Sequence, residues 1–203
     1  MGMEARKLDH RYTVEEYLAY DASIAGRAEY HDGYIVDMAG GSKPHSQIAF
    51  NIALAIQMAL GTDECNAYIA DVKLRAEKAN CYFYPDLWME CGDDKSEESA
   101  PQEDRPCLIV EVLSESTFRE DLVVKFFAYQ QIPTLQDYIL VDQNSPRVSH
   151  LHRNEAGDWI VKSYYGLGSK LDLISMRVSI SLSQIYRLIR FQDGKKPLLP
   201  QQD

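Results

Sequence analysis

The run Cys107-Leu108-Ile109-Val110-Glu111-Val112-Leu113 narrows what this chain can become. A short, continuously apolar run of this kind reads as a strand buried on both faces, and so as a central strand of a sheet. Glu111 lies in its middle. A carboxylate taken out of water is costly unless a cation, a proton or hydrogen-bond donors meet it. The fold has to bring such a partner to Glu111. An arginine or backbone donors would do so as readily as a functional group. The preceding strand, Tyr82 to Met89, carries Pro85 in its interior, which places it at an edge, bulged or broken there. A break would aim the Asp86 carboxylate out of the sheet. On consecutive strands, Asp86 and Glu111 can meet at one end of the sheet. Two carboxylates so placed repel unless a cation or proton lies between them. A divalent metal is one such cation, and phosphodiester hydrolysis is one chemistry that uses it. Lys125 follows in Val123-Val124-Lys125-Phe126-Phe127. It either lays its stem along the core edge or points its ammonium at the two acids.

The rest of the pattern surrounds these residues with an α/β fold. Thr13-Val14-Glu15-Glu16 reads as a capping box opening a short helix. Asp32-Gly33 predicts a hairpin between Glu29-Tyr30-His31 and Tyr34-Ile35-Val36. After Gly40 to Pro44, a helix is expected from His45 to Leu60, stopped by Gly61. Alternation from Tyr68 to Leu74 predicts one half-buried strand, with Asp71, Lys73 and Arg75 on a solvated ion-pair face. A helix over Asp121 to Gln131 and a buried strand over Tyr138 to Val141 complete a crossover, right-handed if its strands are parallel. Arg147 to His152 and Trp159 to Tyr165 form a second hairpin, whose His150 and His152 are expected at its surface. Ser181 caps a final helix through Ile189. The expected sheet is mixed.

With 203 residues, the chain fits one domain spanning 1–203, with its core from about 12 to 186. Residues 92–106 form an acidic stretch of net charge −4, expected to be a mobile loop, and a polar tail starts near 191. The overall net charge of −10 counts against a broad, sequence-blind grip on DNA. An acidic site can instead be a metal site, neutralised when the ion binds. Cys65, Cys81, Cys91 and Cys107 contain no Cys-x-x-Cys pair, so no zinc site is expected. They are expected to be free thiols in a reducing cytosol. No apolar run approaches the ~20 residues of a membrane span, and the first residues lack the apolar segment of a secretory signal. The expected location is cytoplasmic.

Asp86, Glu111 and Lys125, in this fold order, resemble the PD-(D/E)XK nuclease superfamily. More closely, the chain resembles the Uma-type restriction endonucleases, a family abundant in cyanobacteria. The resemblance is carried by Ala28 to Gly33, Met38 to Ser42 before His45, Tyr84-Pro85-Asp86, Val110 to Ser114, Ile132 to Tyr138, and Val141-Asp142. It runs from about Tyr12 to about Tyr186. It implies a restriction-endonuclease-like core and a metal-dependent endonuclease acting on DNA. Asp86 and Glu111 would ligate Mg²⁺ or Mn²⁺, with the Val112 carbonyl as a further ligand. Glu29 would act through a metal-bound water. Lys125 would be the catalytic lysine, moved onto a helix, while Leu113 stands where the superfamily pattern puts it. His45 matches a family position and is a minor site candidate. Two stretches depart from the family. Ser114-Glu115-Ser116 replaces a frequent Ser-Pro-Ser, and Glu120 to Val123 replaces a Tyr-Asp-Arg-Gly-like run. Glu115 and Glu120 add negative charge where phosphate would approach. A rim of Lys43, Lys73, Arg75 and Arg119 would offset it in a nuclease. Without such a rim the fold would suit a catalytically inactive binding or regulatory protein. The aromatic hairpins point to a homodimer.

Overall fold

The computed structural model describes residues 10–38, 40–61, 65–92, 104–114, 120–191 and 195–199, with the backbone alone at 120–122. Helix α1 (Val14–Ser23) opens on the expected capping box: Thr13 accepts from the Glu16 N–H, and the Glu16 carboxylate accepts from the Thr13 N–H. Strands β1 (Ala28–His31) and β2 (Tyr34–Asp37) form the hairpin, with Asp32 and Gly33 both at positive φ. That conformation is what an Asp-Gly turn supplies between twisted strands. Helix α2 (Lys43–Leu60) starts on the Ser42 hydroxyl and ends at Gly61, which takes the left-handed cap.

Beyond α2 the chain alternates between two sheets. Strand β3 (Cys65–Ile69) is followed by β4 (Leu74–Ala76), β5 (Cys81–Phe83), β6 (Leu87–Cys91) and β7 (Leu108–Leu113). After β7 come α3 (Phe126–Tyr129), β8 (Asp137–Asp142), β9 (Arg147–Arg153) and β10 (Trp159–Tyr165). The hairpin β11 (Lys170–Leu173) and β12 (Val178–Ser181) leads into α4 (Leu182–Ile185). One sheet runs β2-β1-β5-β4 and the larger one β10-β9-β8-β7-β6-β3. Only β7 and β8 pair in parallel within the larger sheet, so it is mixed, as expected.

Several local expectations are corrected. The run Tyr68 to Leu74 is not one strand. Ala70 takes a positive φ, and the chain leaves the larger sheet after Ile69 to join the smaller one at Leu74. The ion-pair face is also absent: Asp71 pairs with Arg27, Lys73 with Asp21, and Arg75 with Glu77. The segment before α3 is a π-helical turn, Glu120–Lys125, so the regular helix is shorter than 121–131. Helix α4 is one turn, and Leu188 beyond it is exposed at positive φ. His150 is not on the surface. It is 1% exposed, with its Nε2 2.6 Å from Asp137 Oδ1, and Ser175 donates to the other carboxylate oxygen. The cysteines are not all free either: Cys65 and Cys91, paired across β3 and β6, form a disulfide. Of the acidic stretch 92–106, residues 93–103 lie outside the described residues, as do Glu115, Arg119 and most of the polar tail. Among the described residues no helix is long and apolar enough to cross a membrane.

The core forms two main layers around the larger sheet. On one face, Ile48, Ile52 and Ile56 of α2 pack on Val110, Val112, Ile139 and Val141, with Leu171 and Ile180 of the C-terminal hairpin. On the other, Ile109, Leu113, Tyr138 and Leu140 pack against Tyr129 of α3 and Phe83 and Leu74 of the smaller sheet. The smaller sheet covers its outer face with α1 through Tyr17 and Tyr30. Glu111, alternating with Val110 and Val112, therefore points into the layer between the two sheets.

Candidate active site

Pro85 marks where the chain changes sheets. Between β5 and β6, Tyr84, Pro85 and Asp86 belong to neither ladder. Proline has no N–H to donate, so leaving the ladder at this residue strands none. The neighbouring polar groups are used instead. The Tyr84 N–H donates to Glu29 Oε1 at 3.1 Å, and the Asp86 carbonyl accepts from the Ala70 N–H at 3.2 Å. The Asp86 carboxylate does not aim out of the sheet as the proline break predicted: it turns back onto the β7 backbone at Val112.

Glu29, Glu111 and Lys125 meet in the interior. Lys125 Nζ lies 3.1 Å from Glu29 Oε1 and 3.2 Å from Glu111 Oε1. Three distant segments meet here: β1 of the smaller sheet, β7 of the larger, and the π-helical turn that leads into α3. All three side chains are less than a tenth exposed. The Tyr129 hydroxyl donates to Glu111 Oε1 at 2.9 Å, and His31 Nε2 lies 3.2 Å from Glu29 Oε2. The Lys125 ammonium also stands 5.9 Å from the centre of the Phe83 ring. Burial by itself would raise the Glu29 carboxyl. The Lys125 ammonium, His31 and the Tyr84 N–H outweigh it and hold the group below the usual carboxylate range. Burial, and then the Glu111 charge, push the Tyr129 hydroxyl well above its ordinary value, so it remains a donor.

Asp86 links the β7 backbone to the first turn of α2. Its Oδ2 accepts from the Val112 N–H at 2.7 Å, and its Oδ1 lies 2.7 Å from His45 Nε2. An ionised carboxylate only accepts, so His45 Nε2 carries the proton in this contact. His45 belongs to the first turn of α2, whose Ser42 cap accepts from the His45 N–H. His45, the minor site candidate of the sequence, therefore meets Asp86. Asp86 immediately precedes β6, Glu111 lies in the neighbouring β7, and the two are linked through the β7 backbone at Val112.

The sequence missed Tyr129 and His31. Tyr129 is four residues past Lys125, so helical spacing places it one turn along. His31 is two residues past Glu29, which puts both on one strand face. Of the expected basic rim, Lys43 opens α2, while Lys73 and Arg75 are engaged by Asp21 and Glu77.

The donor set suits a hard divalent cation. Mg²⁺ takes one or two carboxylates and keeps several waters. Asp86 and Glu111 are the carboxylates that could take such an ion, and the Lys125 ammonium already lies between Glu111 and Glu29. Among the described residues no group of three or more His, Cys, Asp or Glu side chains is arranged around a common ion position.

The fold and this cluster define a class of protein: a mixed α/β sheet of restriction-endonuclease-like architecture. A crystal structure from Anabaena variabilis, described as that of a "putative nuclease belonging to DUF820", superposes with a TM-score of 0.70. The match covers 86% of this chain and 97% of that one, at 14% identity, and is a likeness of fold. The family model "Uma2: Putative restriction endonuclease" matches residues 14–183. Two Synechocystis sp. (strain PCC 6803) proteins are similar along nearly their whole length. The uncharacterized protein slr1290 is 36% identical over 181 residues, covering 89% of this chain and 94% of that protein. The uncharacterized protein sll1609 is 29% identical over 167 residues, covering 82% and 94%. The chain belongs to the Uma2 family.

Proposed function

We propose that this protein is a metal-dependent endonuclease that hydrolyses phosphodiester bonds in DNA. The observation that carries the reading is the buried Glu29–Lys125–Glu111 cluster beside Asp86. Asp86 and Glu111 would hold Mg²⁺ or Mn²⁺, with the Val112 carbonyl as a further ligand. The bound ion would lower the pKa of water and polarise the phosphoryl oxygens. The chain's own residues do the rest. The Val112 N–H and His45 fix the orientation of the Asp86 carboxylate, as a metal-ligating acid requires. Tyr129 anchors one oxygen of Glu111. Lys125, held between two acids, places a positive charge where negative charge develops on the phosphate. Glu29 holds Lys125 in place and would order an attacking water.

The engaged state of Lys73 and Arg75 supports the rival reading, a nuclease fold kept for binding. Plasmid nicking separates the two. Wild type with Mg²⁺ or Mn²⁺ is expected to convert supercoiled plasmid to open circles, while Glu111→Gln and Lys125→Met do not. Metal-independent nicking, or equal nicking by all three proteins, would reject the assignment. No nicking by folded, metal-loaded wild type on DNA of varied sequence would favour the binding reading.

A further inference from the structure

We propose that Cys65, Cys91 and Cys107 form a thiol–disulfide exchange centre, in which the bond joining Cys65 to Cys91 can pass to Cys107. The Cys107 Sγ lies 2.9 Å from the Cys91 Sγ. This contact places a free thiol against one sulfur of an existing disulfide, which is the encounter that exchange requires. The backbone holds it there: the Cys107 N–H donates to the Met89 carbonyl at 2.8 Å, two residues before Cys91 on β6. Cys65 faces Cys91 from β3, with Cα atoms 4.2 Å apart. One strand residue therefore has a sulfur partner on each side.

The step balances without an oxidant or reductant. The Cys107 thiol loses its proton and attacks the Cys91 Sγ. The bond between Cys91 and Cys65 breaks, and Cys65 departs as the thiolate, which takes up a proton. One disulfide and one thiol stand on each side. Access differs among the sulfurs: Cys65 is buried, Cys107 half-buried, and Cys91 on an exposed residue. A small thiol from solvent would therefore open the bond at Cys91. Burial, then the negative charges of Asp137 and Glu90, push the Cys107 thiol up to about 12. The resting form is thus the Cys65–Cys91 bond, with Cys107 held as a thiol that donates to the Met89 carbonyl.

Exchange would change what is tied together. The resting bond joins the edge strand β3 to β6 over a separation of 26 residues. The exchanged bond would join residues 16 apart, closing the two ends of the acidic stretch. It would remove the covalent tie on β3, which stays hydrogen-bonded to β6 and whose chain leads directly to Ala70, the donor to the Asp86 carbonyl. The centre lies outside the carboxylate cluster, and it stands whether or not the protein cuts DNA.

Thiol trapping tests it. Wild type, Cys107→Ser and Cys65→Ser are equilibrated with a reduced and oxidised glutathione mixture, quenched with acid, alkylated and mapped by mass spectrometry without reduction. Wild type is expected to yield the Cys65–Cys91 peptide together with a Cys91–Cys107 peptide. Cys107→Ser should lose the second and keep the first. Cys65→Ser should convert almost wholly to the Cys91–Cys107 bond. Only the Cys65–Cys91 peptide in wild type, at every glutathione ratio, would overturn the proposal even if Cys65→Ser failed to fold. Separate alkylated or glutathionylated Cys91 and Cys107 in a folded Cys65→Ser protein would do the same.

Discussion

Replacing Lys125 with methionine keeps most of the side chain's length and removes its charge. Glu29 and Glu111 then face one another in a pocket where both are almost fully buried. Each ion pair is near 3 Å, where the attraction at an effective dielectric of ~20 is about 5 kcal/mol. The change also relieves the cost of burying the ammonium, so the net loss is smaller than the sum. Breaking a buried pair by removing one partner typically costs ~3–5 kcal/mol. Tyr129 still donates to Glu111, and the Tyr84 N–H still donates to Glu29. We therefore expect the lower end, about 3 kcal/mol by that scale. For a chain of this size that is a fall of roughly 6–12 °C in Tm. Urea unfolding at neutral pH measures the free energy, and a thermal melt gives the second value. A carboxylate left without its cation takes up a proton more readily, so the deficit should narrow as pH falls. Added Mg²⁺ should restore more stability to Lys125→Met than to wild type, because the ion replaces the lost charge. A loss below ~1 kcal/mol, the size of an exposed ion pair, would refute the claim that Lys125 compensates a buried acid pair.

Three further outcomes follow from the same geometry. Because Glu29 is held below its ordinary value of 4.5, its ionised form stabilises the fold above that pH, and this contribution is lost as pH falls through the lowered value. Unfolding by urea should grow easier across that acid window in wild type, and the acid slope should flatten in Glu29→Gln. His45→Ala removes the partner of Asp86 Oδ1 and should weaken Mn²⁺ binding by about 10–100-fold, read by calorimetry. Unchanged affinity would show that Val112 alone orients Asp86. His150→Ala leaves the buried Asp137 with Ser175 but no imidazole, and should cost ~3 kcal/mol in urea unfolding without changing metal affinity.

What could be read from the sequence was local or strongly patterned. The Thr13 capping box, the Asp32-Gly33 turn, the α2 periodicity and the buried strand around Glu111 all carry their reason within a few residues. Pro85 did so too, since a residue without an N–H interrupts any ladder. The split at Ala70 left no such mark. Alternation from Tyr68 to Leu74 continues across the point where the chain changes sheets, and period-two patterning does not say which sheet a strand joins. The same blindness hid the disulfide, because Cys65 and Cys91 become neighbours only once β3 pairs with β6. It also made His150 look like a surface residue, since its partner Asp137 lies on the preceding strand. The site was half legible. A lone acid in an apolar strand announced the need for a partner, and Lys125, set in an apolar run soon after it, was the cation the pattern offered. That Lys125 would be shared with Glu29, on another sheet, depends on how the sheets pack.

The central claim is that Asp86 and Glu111 together hold a divalent ion. Calorimetric titration of Mn²⁺ into wild type, Asp86→Asn and Glu111→Gln tests it directly, with circular dichroism of each protein to confirm folding. Wild type should bind, and each folded variant should lose at least on the order of tenfold in affinity, because each removes one of two charged ligands. Equal binding by all three, or no binding by folded wild type, would contradict the claim and leave the cluster as a salt-bridged core.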